Sequence, residues 1–321
     1  MKFLLTGAAG FIGSHLSKIL LDKGHSVIGF DNLSSGDLHN VVEFMDNPNF
    51  NFIEGDVTEP FSFDVDYILN FACPASPVQY QRNPVETVKT NVLGMMHSLE
   101  LAKAKKIPVL QASTSEVYGD PLEHPQLETY FGNVNPIGVR ACYDEGKRIA
   151  ETLCFDYARQ YGVQVRIFRI FNTYGPKMRF DDGRVVSNFI SQALKNKDIT
   201  LYGNGQQTRS FCYVDDLVKA VMKFIESPNQ YSGPYNIGNP AENTVKELAD
   251  LILKLTKSKS QITISDLPGD DPKKRKPNID KFRSEYGWYP QVGLEEGLKK
   301  TINDFETRFD LSFTESNVIP L

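Results

Sequence analysis

Tyr143 and Lys147 stand four residues apart in the run Arg140, Ala141, Cys142, Tyr143, Asp144, Glu145, Gly146, Lys147. The residues that follow, 148–154, read as helix. A spacing of four therefore stacks the two side chains on one helical face. A phenol titrates near ~10 and is a poor base at neutral pH. A lysine ammonium beside it favours the phenolate. Lowering the pKa by ~3 units takes roughly 4 kcal/mol, which one close charge in a partly dry pocket can largely supply. Such a pair can remove a proton from an alcohol hydroxyl while a bound acceptor takes the hydride. An isolated Tyr-x-x-x-Lys is more often a surface pair, and the rest of the chain overturns that reading.

The first half supplies the elements that would position this pair. An apolar strand over 3–6 runs into a turn carrying Gly7, Gly10 and Gly13. A helix over 14–23 and a second strand over 26–30 follow, closed by Asp31. This is a βαβ unit with a glycine-rich first turn. Its backbone N–H groups can approach a pyrophosphate, whose charge the helix N-terminus favours. Asp31 is placed to accept from a ribose 2′-hydroxyl and would repel a 2′-phosphate, so the expected cofactor is NAD. Gly7, Ala9, Gly10, Phe11 and Ile12 are the expected cradle. Asp31, Asn32, Asp56, Val57 and Ala72 are expected around the rest of the dinucleotide, with Tyr143 and Lys147 at its nicotinamide end. Strands over 50–53, 67–72 and 109–113 alternate with helices, the longest over 85–105. The proline-rich stretch 74–80 reads as a loop lining the ligand crevice. This pattern predicts an α/β fold: a Rossmann-type, doubly wound parallel sheet covered on both faces. Thr114, Ser115 and Glu116 then emerge at the same sheet edge as Gly7 and Ala72, where Thr114 can hold the oxygen that Tyr143 deprotonates.

The bulk numbers exclude other classes. With 35 basic and 40 acidic residues among 321, the net charge is −5, which argues against a nucleic-acid partner. Cys73, Cys142, Cys154 and Cys212 show no CxxC spacing, so neither a metal site nor a disulfide framework is expected. No signal peptide and no apolar run long enough to span a bilayer is evident. The expectation is a cytoplasmic protein without a membrane partner.

After the strand over 165–171 the alternation loosens. Helices are expected over 185–195, from Asp215, over 244–256 with Glu247 at capping-box spacing from Thr244, over 281–286 and over 294–305. Segments near 165–171 and 235–237 are expected to return to the main sheet. The expected division is a nucleotide domain over 1–171 with returning segments near 210–238. A smaller, interleaved C-terminal substrate lobe takes 172–209 and 239–308, and 309–321 is a frayed tail. Arg184, Arg209 and Arg275 are placed in loops of this lobe, where they can gather a pyrophosphate. The densest charge run is 269–277.

These motifs add up to a resemblance. The Gly7–Gly10–Gly13 turn, Thr114-Ser115-Glu116, the run through Tyr143 and Lys147, the stretch 169–176 with Asn172, and the segments around Arg184, Arg209 and Arg275 resemble the extended short-chain dehydrogenase/reductases. Within them the chain is similar to the UDP-glucuronate decarboxylases over nearly its whole length. Val139 departs from that pattern, which has proline there, as does Cys73, where small residues are usual.

The resemblance implies a UDP-sugar substrate, held by Asn172, Arg184, Arg209 and Arg275, and a homodimer built on the helices near 85–105 and 143–161. It implies C4 oxidation, loss of CO₂ from the resulting β-keto acid, and re-reduction, with NAD recycled. Thr114, Ser115, Glu116, Tyr143 and Lys147 carry the chemistry. Glu116 is expected to position substrate or steer a protonating water. Related 4,6-dehydratases carry Asp-Glu where this chain has Ser115-Glu116, and a second carboxylate there would repel a uronate. A 4-epimerase and a decarboxylase of N-acetylated uronates remain as alternatives.

Overall fold

The structure is a computed structural model that describes residues 1–227, 233–266 and 274–315, with side chains described to residue 309. In chain order the first half contains β1 (Lys2–Thr6), α1 (Phe11–Asp22), β2 (Ser26–Asp31), β3 (Phe50–Glu54), β4 (Tyr67–Asn70), α2 (Pro77–Arg82), α3 (Pro84–Lys105), β5 (Val109–Thr114), α4 (Ala141–Tyr161) and β6 (Val165–Ile170). The second half contains β7 (Thr173–Tyr174), α5 (Val185–Leu194), β8 (Ile199–Tyr202), β9 (Thr208–Ser210), β10 (Cys212–Tyr213), α6 (Val214–Glu226), β11 (Tyr235–Ile237), β12 (Glu242–Thr244), α7 (Val245–Thr256), β13 (Ile262–Ser265), β14 (Lys274–Arg275), α8 (Asp280–Tyr286) and α9 (Leu294–Glu315).

Seven strands form one sheet in the order β11-β6-β5-β4-β1-β2-β3. Every pairing in it is parallel. This is the doubly wound arrangement expected from the alternation. Along β1, Phe3 and Leu5 enter one core while Leu4 enters the other. That period of two buries both faces of the sheet. Strand order reverses between β1 and β4, so a crevice opens outside their carboxyl ends. The edge strand β11 comes from the second half and lies against β6.

The structure departs from the sequence reading in several places. The stretch 74–80 is not all loop: Pro77 starts α2. Proline suits the first helical position, where its missing N–H costs nothing. Helix α1 begins at Phe11, before the expected Ser14. The stretch between residues 199 and 275 holds short strands whose two-to-four-residue length left no readable alternation. β9 pairs with β12 and β14, and β8 pairs with β13. Arg209 and Arg275 therefore lie on strands, not in loops. Helix α9 continues past Arg308 to Glu315, so the expected tail is helical over its first part. The remainder of that tail, 316–321, lies outside the described residues, as does the 269–273 part of the charge run. The Thr244–Glu247 capping box forms as expected. Among the described residues no helix is long and apolar enough to cross a membrane.

Candidate active site

A cleft of about 580 Å³ opens at the carboxyl edge of the sheet. Gly7, Gly10, Phe11 and Ile12 line its first wall. Gly7 has φ +73°, and a Cβ there would lie 2.9 Å from the backbone of Phe71 and Ala72. A Cβ at Gly13 would lie 2.0 Å from the Gly7 carbonyl oxygen. The glycines therefore let the turn sit flush between β1, β4 and α1. Gly10, the residue before α1, is extended and provides no side-chain cap. The first N–H groups of α1 are thus available to an anion.

Asp31 ends β2 and is almost fully buried. Its Oδ2 accepts from the Ala9 N–H at 2.9 Å and its Oδ1 from the Leu33 N–H at 2.9 Å. Burial pushes its carboxyl up, and the N–H groups of Leu33, Ala9 and Gly10 partly offset that. A carboxylate has about four acceptor sites, so capacity remains for a ribose diol. Asn32 donates to Asp56 Oδ2 at 2.8 Å, and the Val57 carbonyl oxygen lies 2.9 Å from His97 Nδ1. Ala9, Asp31, Asn32, Asp56, Val57 and Ala72 are not among the described lining residues of the cleft. Asp31 is tied to the glycine turn through the Ala9 N–H, and the Ala72 backbone lies against Gly7. An uncapped helix, a close-fitting glycine turn and a buried acid at the next strand end together fit a dinucleotide.

On the opposite wall, α4 brings Tyr143 and Lys147 beneath the end of β5. A Cβ at Gly146 would lie 2.9 Å from Asn91 Nδ2, so glycine there lets α4 press against α3. Both side chains are buried. The Lys147 ammonium donates to the Ala112 carbonyl at 2.9 Å and lies 5.8 Å from the centre of the Tyr143 ring. Thr114 hydrogen-bonds to Tyr143. It also caps the following 3₁₀ turn by accepting from the Glu116 N–H at 3.2 Å.

The expected lowering of the Tyr143 pKa is not found. Burial pushes the phenol well above its ordinary value, the nearby Cys73 adds to the rise, and the Thr114 hydrogen bond only partly opposes it. Burial likewise lowers the Lys147 ammonium. The desolvation of both groups outweighs a cation that is committed to the Ala112 carbonyl. Without a ligand, Tyr143 is a neutral phenol.

Glu116 shows the opposite balance. Burial alone would raise its carboxyl, but Arg275 and Arg140, with Arg209 behind them, hold it near the bottom of the carboxylate range, at about 2. Arg140 donates to Glu116 Oε2 directly. Arg275 Nη2 lies 3.3 Å from the same oxygen. Arg275 also donates to the Ser115 carbonyl and, at 2.9 Å, to the Gly119 carbonyl. Its donors thus order the Thr114-Ser115-Glu116 turn, an arrangement the sequence reading assigned to phosphate contact.

Arg184 lines the cleft and is clasped by Asp182 at 2.5 and 2.8 Å. Arg209 and Asn172 line it too. The cleft therefore gathers Thr114, Ser115, Glu116, Tyr143, Lys147, Asn172 and the three arginines.

The sequence reading missed two participants. Tyr80, on α2, stacks parallel on Tyr143 with ring centroids 5.0 Å apart and 5° between planes. Pro77 at a helix start was the signal for the element that carries it. Arg140 precedes Tyr143 by three, a helical-face spacing that predicts proximity to the same site.

Comparison with known proteins gives a consistent picture. The family model described as "NAD dependent epimerase/dehydratase family" matches residues 3–238. The chain is 53% identical over 309 residues to UDP-glucuronic acid decarboxylase 6 of Arabidopsis thaliana, covering 96% of this chain and 90% of that one. It resembles UDP-glucuronic acid 4-epimerase from Bacillus cereus, solved with UDP-glucuronic acid and NAD, with TM-score 0.87, 26% identity and coverage of 96% and 100%. It also resembles dTDP-glucose 4,6-dehydratase from Bacillus anthracis, solved with NAD, with TM-score 0.85, 28% identity and coverage of 97% and 98%.

Proposed function

The chain belongs to the NAD dependent epimerase/dehydratase family, and within it we propose a UDP-glucuronic acid decarboxylase that forms UDP-xylose. The observation that carries this reading is the Thr114–Tyr143–Lys147 group sharing one cleft with Ser115 and an arginine-clamped Glu116. The similarity to the Arabidopsis thaliana decarboxylase supports it.

NAD, when bound in the glycine-lined part of the cleft, supplies reversible hydride chemistry at C4 of the sugar. Tyr143 exchanges a proton with the C4 oxygen, and Thr114 donates to or accepts from the same atom. Lys147 supplies positive charge beside that oxygen. With C4 as a ketone, the C5 carboxylate belongs to a β-keto acid. Breaking the C5–C6 bond releases CO₂ and moves the electron pair toward the C4 oxygen. Donors already aimed there stabilise the charge as it develops. Ser115 adds no second negative charge against the uronate, and the arginines balance Glu116, which orients the sugar. Arg184, Arg209 and Asn172 hold the diphosphate side.

The smaller lobe over 172–209 and 239–308 carries these substrate contacts, and the protein works in the cytoplasm. Its subunits pair through α3 and α4, where exposed Val85, Val88, Met96 and Ile149 support a dimer. Light scattering that returns a monomer would refute the dimer. The activity is tested by mass spectrometry after incubation with UDP-glucuronic acid and NAD. A UDP-pentose is the expected product. A UDP-uronate of unchanged mass and new configuration would move the assignment to a 4-epimerase, and turnover only of an N-acetylated uronate would change the substrate.

A further inference from the structure

Decarboxylation has a proton requirement that Tyr143 cannot meet. Tyr143 receives one proton from the C4 hydroxyl and returns it when the alcohol is re-formed. The carboxylate leaves as CO₂, and C5 must gain a hydrogen in its place. A uronate carboxylate plus one proton thus becomes a pentose plus CO₂. One proton per turnover enters from solvent. Glu116 is clamped by Arg140 and Arg275 and stays ionised, so it has no proton to give.

Behind that clamp lies a second, smaller cavity of about 170 Å³, lined by Asp144, Arg140, Asp120 and Asn133 among others. It has room for several waters. Arg140 lines both this cavity and the main cleft. Asp144 is 6% exposed, and among the described residues its Oδ1 is buried without a hydrogen-bond partner. An acid in the first turn of a helix usually serves the helix dipole from the surface. Asp144 is in the first turn of α4 but buried beside a cavity.

We propose that Asp144 is a proton-relay residue, loading protons from the small cavity and passing them, through water past the Arg140–Glu116 pair, to C5 of the substrate. This rests on the decarboxylase reading. The step balances simply. The Asp144 carboxylic acid gives its proton to a water, that water protonates C5, and the Asp144 carboxylate is reloaded from the cavity.

The surroundings agree with a protonated acid near neutrality. Burial and then the Glu116 carboxylate raise Asp144, to about 7, with Glu145 adding to the rise; Arg140 and Arg275 oppose it. Tyr80 and Cys142 also face Asp144. Asp120 shares the cavity wall.

The test uses the whole chain with NAD and UDP-glucuronic acid, following first-turnover CO₂ release and UDP-pentose formation separately. Asp144→Asn should keep its Tm and its CO₂ burst, while pentose formation slows about 10²-fold, the usual scale of one proton-transfer group. Wild-type pentose formation should fall as pH rises through neutrality, because the loaded acid is the active form. That limb should vanish in Asp144→Asn and move in Asp144→Glu. Wild-type pentose rates and pH profile in Asp144→Asn overturn the proposal. So does a loss of CO₂ release in step with pentose, which would put Asp144 before C–C cleavage. Should Asp144→Asn fail to fold, an unmoved pH limb in Asp144→Glu overturns it. A wild-type enzyme that releases no CO₂ fails at the parent reading, and the relay falls with it.

Discussion

Arg209 and Arg275 are direct register partners on the adjacent parallel strands β9 and β14. Like charges placed opposite one another across a ladder destabilise it. The pair is tolerated because Glu116 lies against Arg275, 3.3 Å from Nη2, and feels both cations. A two-residue strand far along the chain thereby fixes the turn that follows β5.

Arg275→Ala should therefore damage stability as well as activity. It removes a buried guanidinium and leaves the Ser115 and Gly119 carbonyls and part of the Glu116 charge without partners. Breaking a buried pair in this way costs about 3–5 kcal/mol. Denaturant titration should show that loss, and turnover should fall with it. Arg275→Lys should recover little, because a single ammonium cannot reach three acceptors in a planar fork. An Arg275→Ala protein with unchanged stability would mean that β14 does not hold the turn.

Glu116 gives the acid side of the stability curve a predictable shape. Its folded pKa lies below the ordinary 4.5. A depressed carboxyl contributes stability that is fully present above its unfolded pKa and is lost as pH falls through its folded value. The window is therefore from about pH 4.5 down to about 2. Glu116→Gln should be less stable than wild type at pH 7 and show a shallower loss across that window. Thermal melts at several pH values decide it, and parallel curves would show that the arginines do not stabilise the ionised form.

The sequence disclosed the fold because its signals were local and long. Strand β1 carries Phe3, Leu4 and Leu5 in succession, and the glycine turn sits between that strand and a helix. Thr114, Glu116, Tyr143 and Lys147 were legible for the same reason, being near strand or helix ends. What stayed hidden was non-local. Nothing near Arg275 announces that it reaches residues 115–119, more than 150 positions away. Nor does Tyr143 reveal its own burial, so its pKa was expected to move in the wrong direction. A pair's electrostatics depends on desolvation by distant elements, here α2 and the end of β5.

The phenol of Tyr143 offers a direct check. Burial holds it above its ordinary value of 10.0 in the ligand-free protein. Ultraviolet difference titration of the ligand-free wild type against Tyr143→Phe should show no phenolate assignable to Tyr143 below pH 10. A phenolate signal near neutrality would restore the lysine-lowered picture. Tyr143→Phe should also reduce turnover by 10²-fold or more while NAD remains bound.

Tyr80 separates a packing role from a contact role. Its ring covers Tyr143 in a parallel stack at 5.0 Å, and its backbone is fixed by Thr87 Oγ1, which donates to the Tyr80 carbonyl at 2.9 Å. The Tyr80 hydroxyl is buried and has no hydrogen-bond partner among the described residues. Removing an unpartnered buried hydroxyl is close to neutral or slightly stabilising. Tyr80→Phe should therefore keep the stack, the Tm and kcat. Tyr80→Ala opens a void beside the Tyr143 phenol, which costs about 3–5 kcal/mol for a buried aromatic. It should lower kcat more than it changes NAD affinity, because Tyr143 loses the surface that fixes its ring. A different pattern has a different cause. If Tyr80→Phe alone raises KM with kcat unchanged, the hydroxyl is a substrate contact, since that signature marks binding lost equally from ground and transition states.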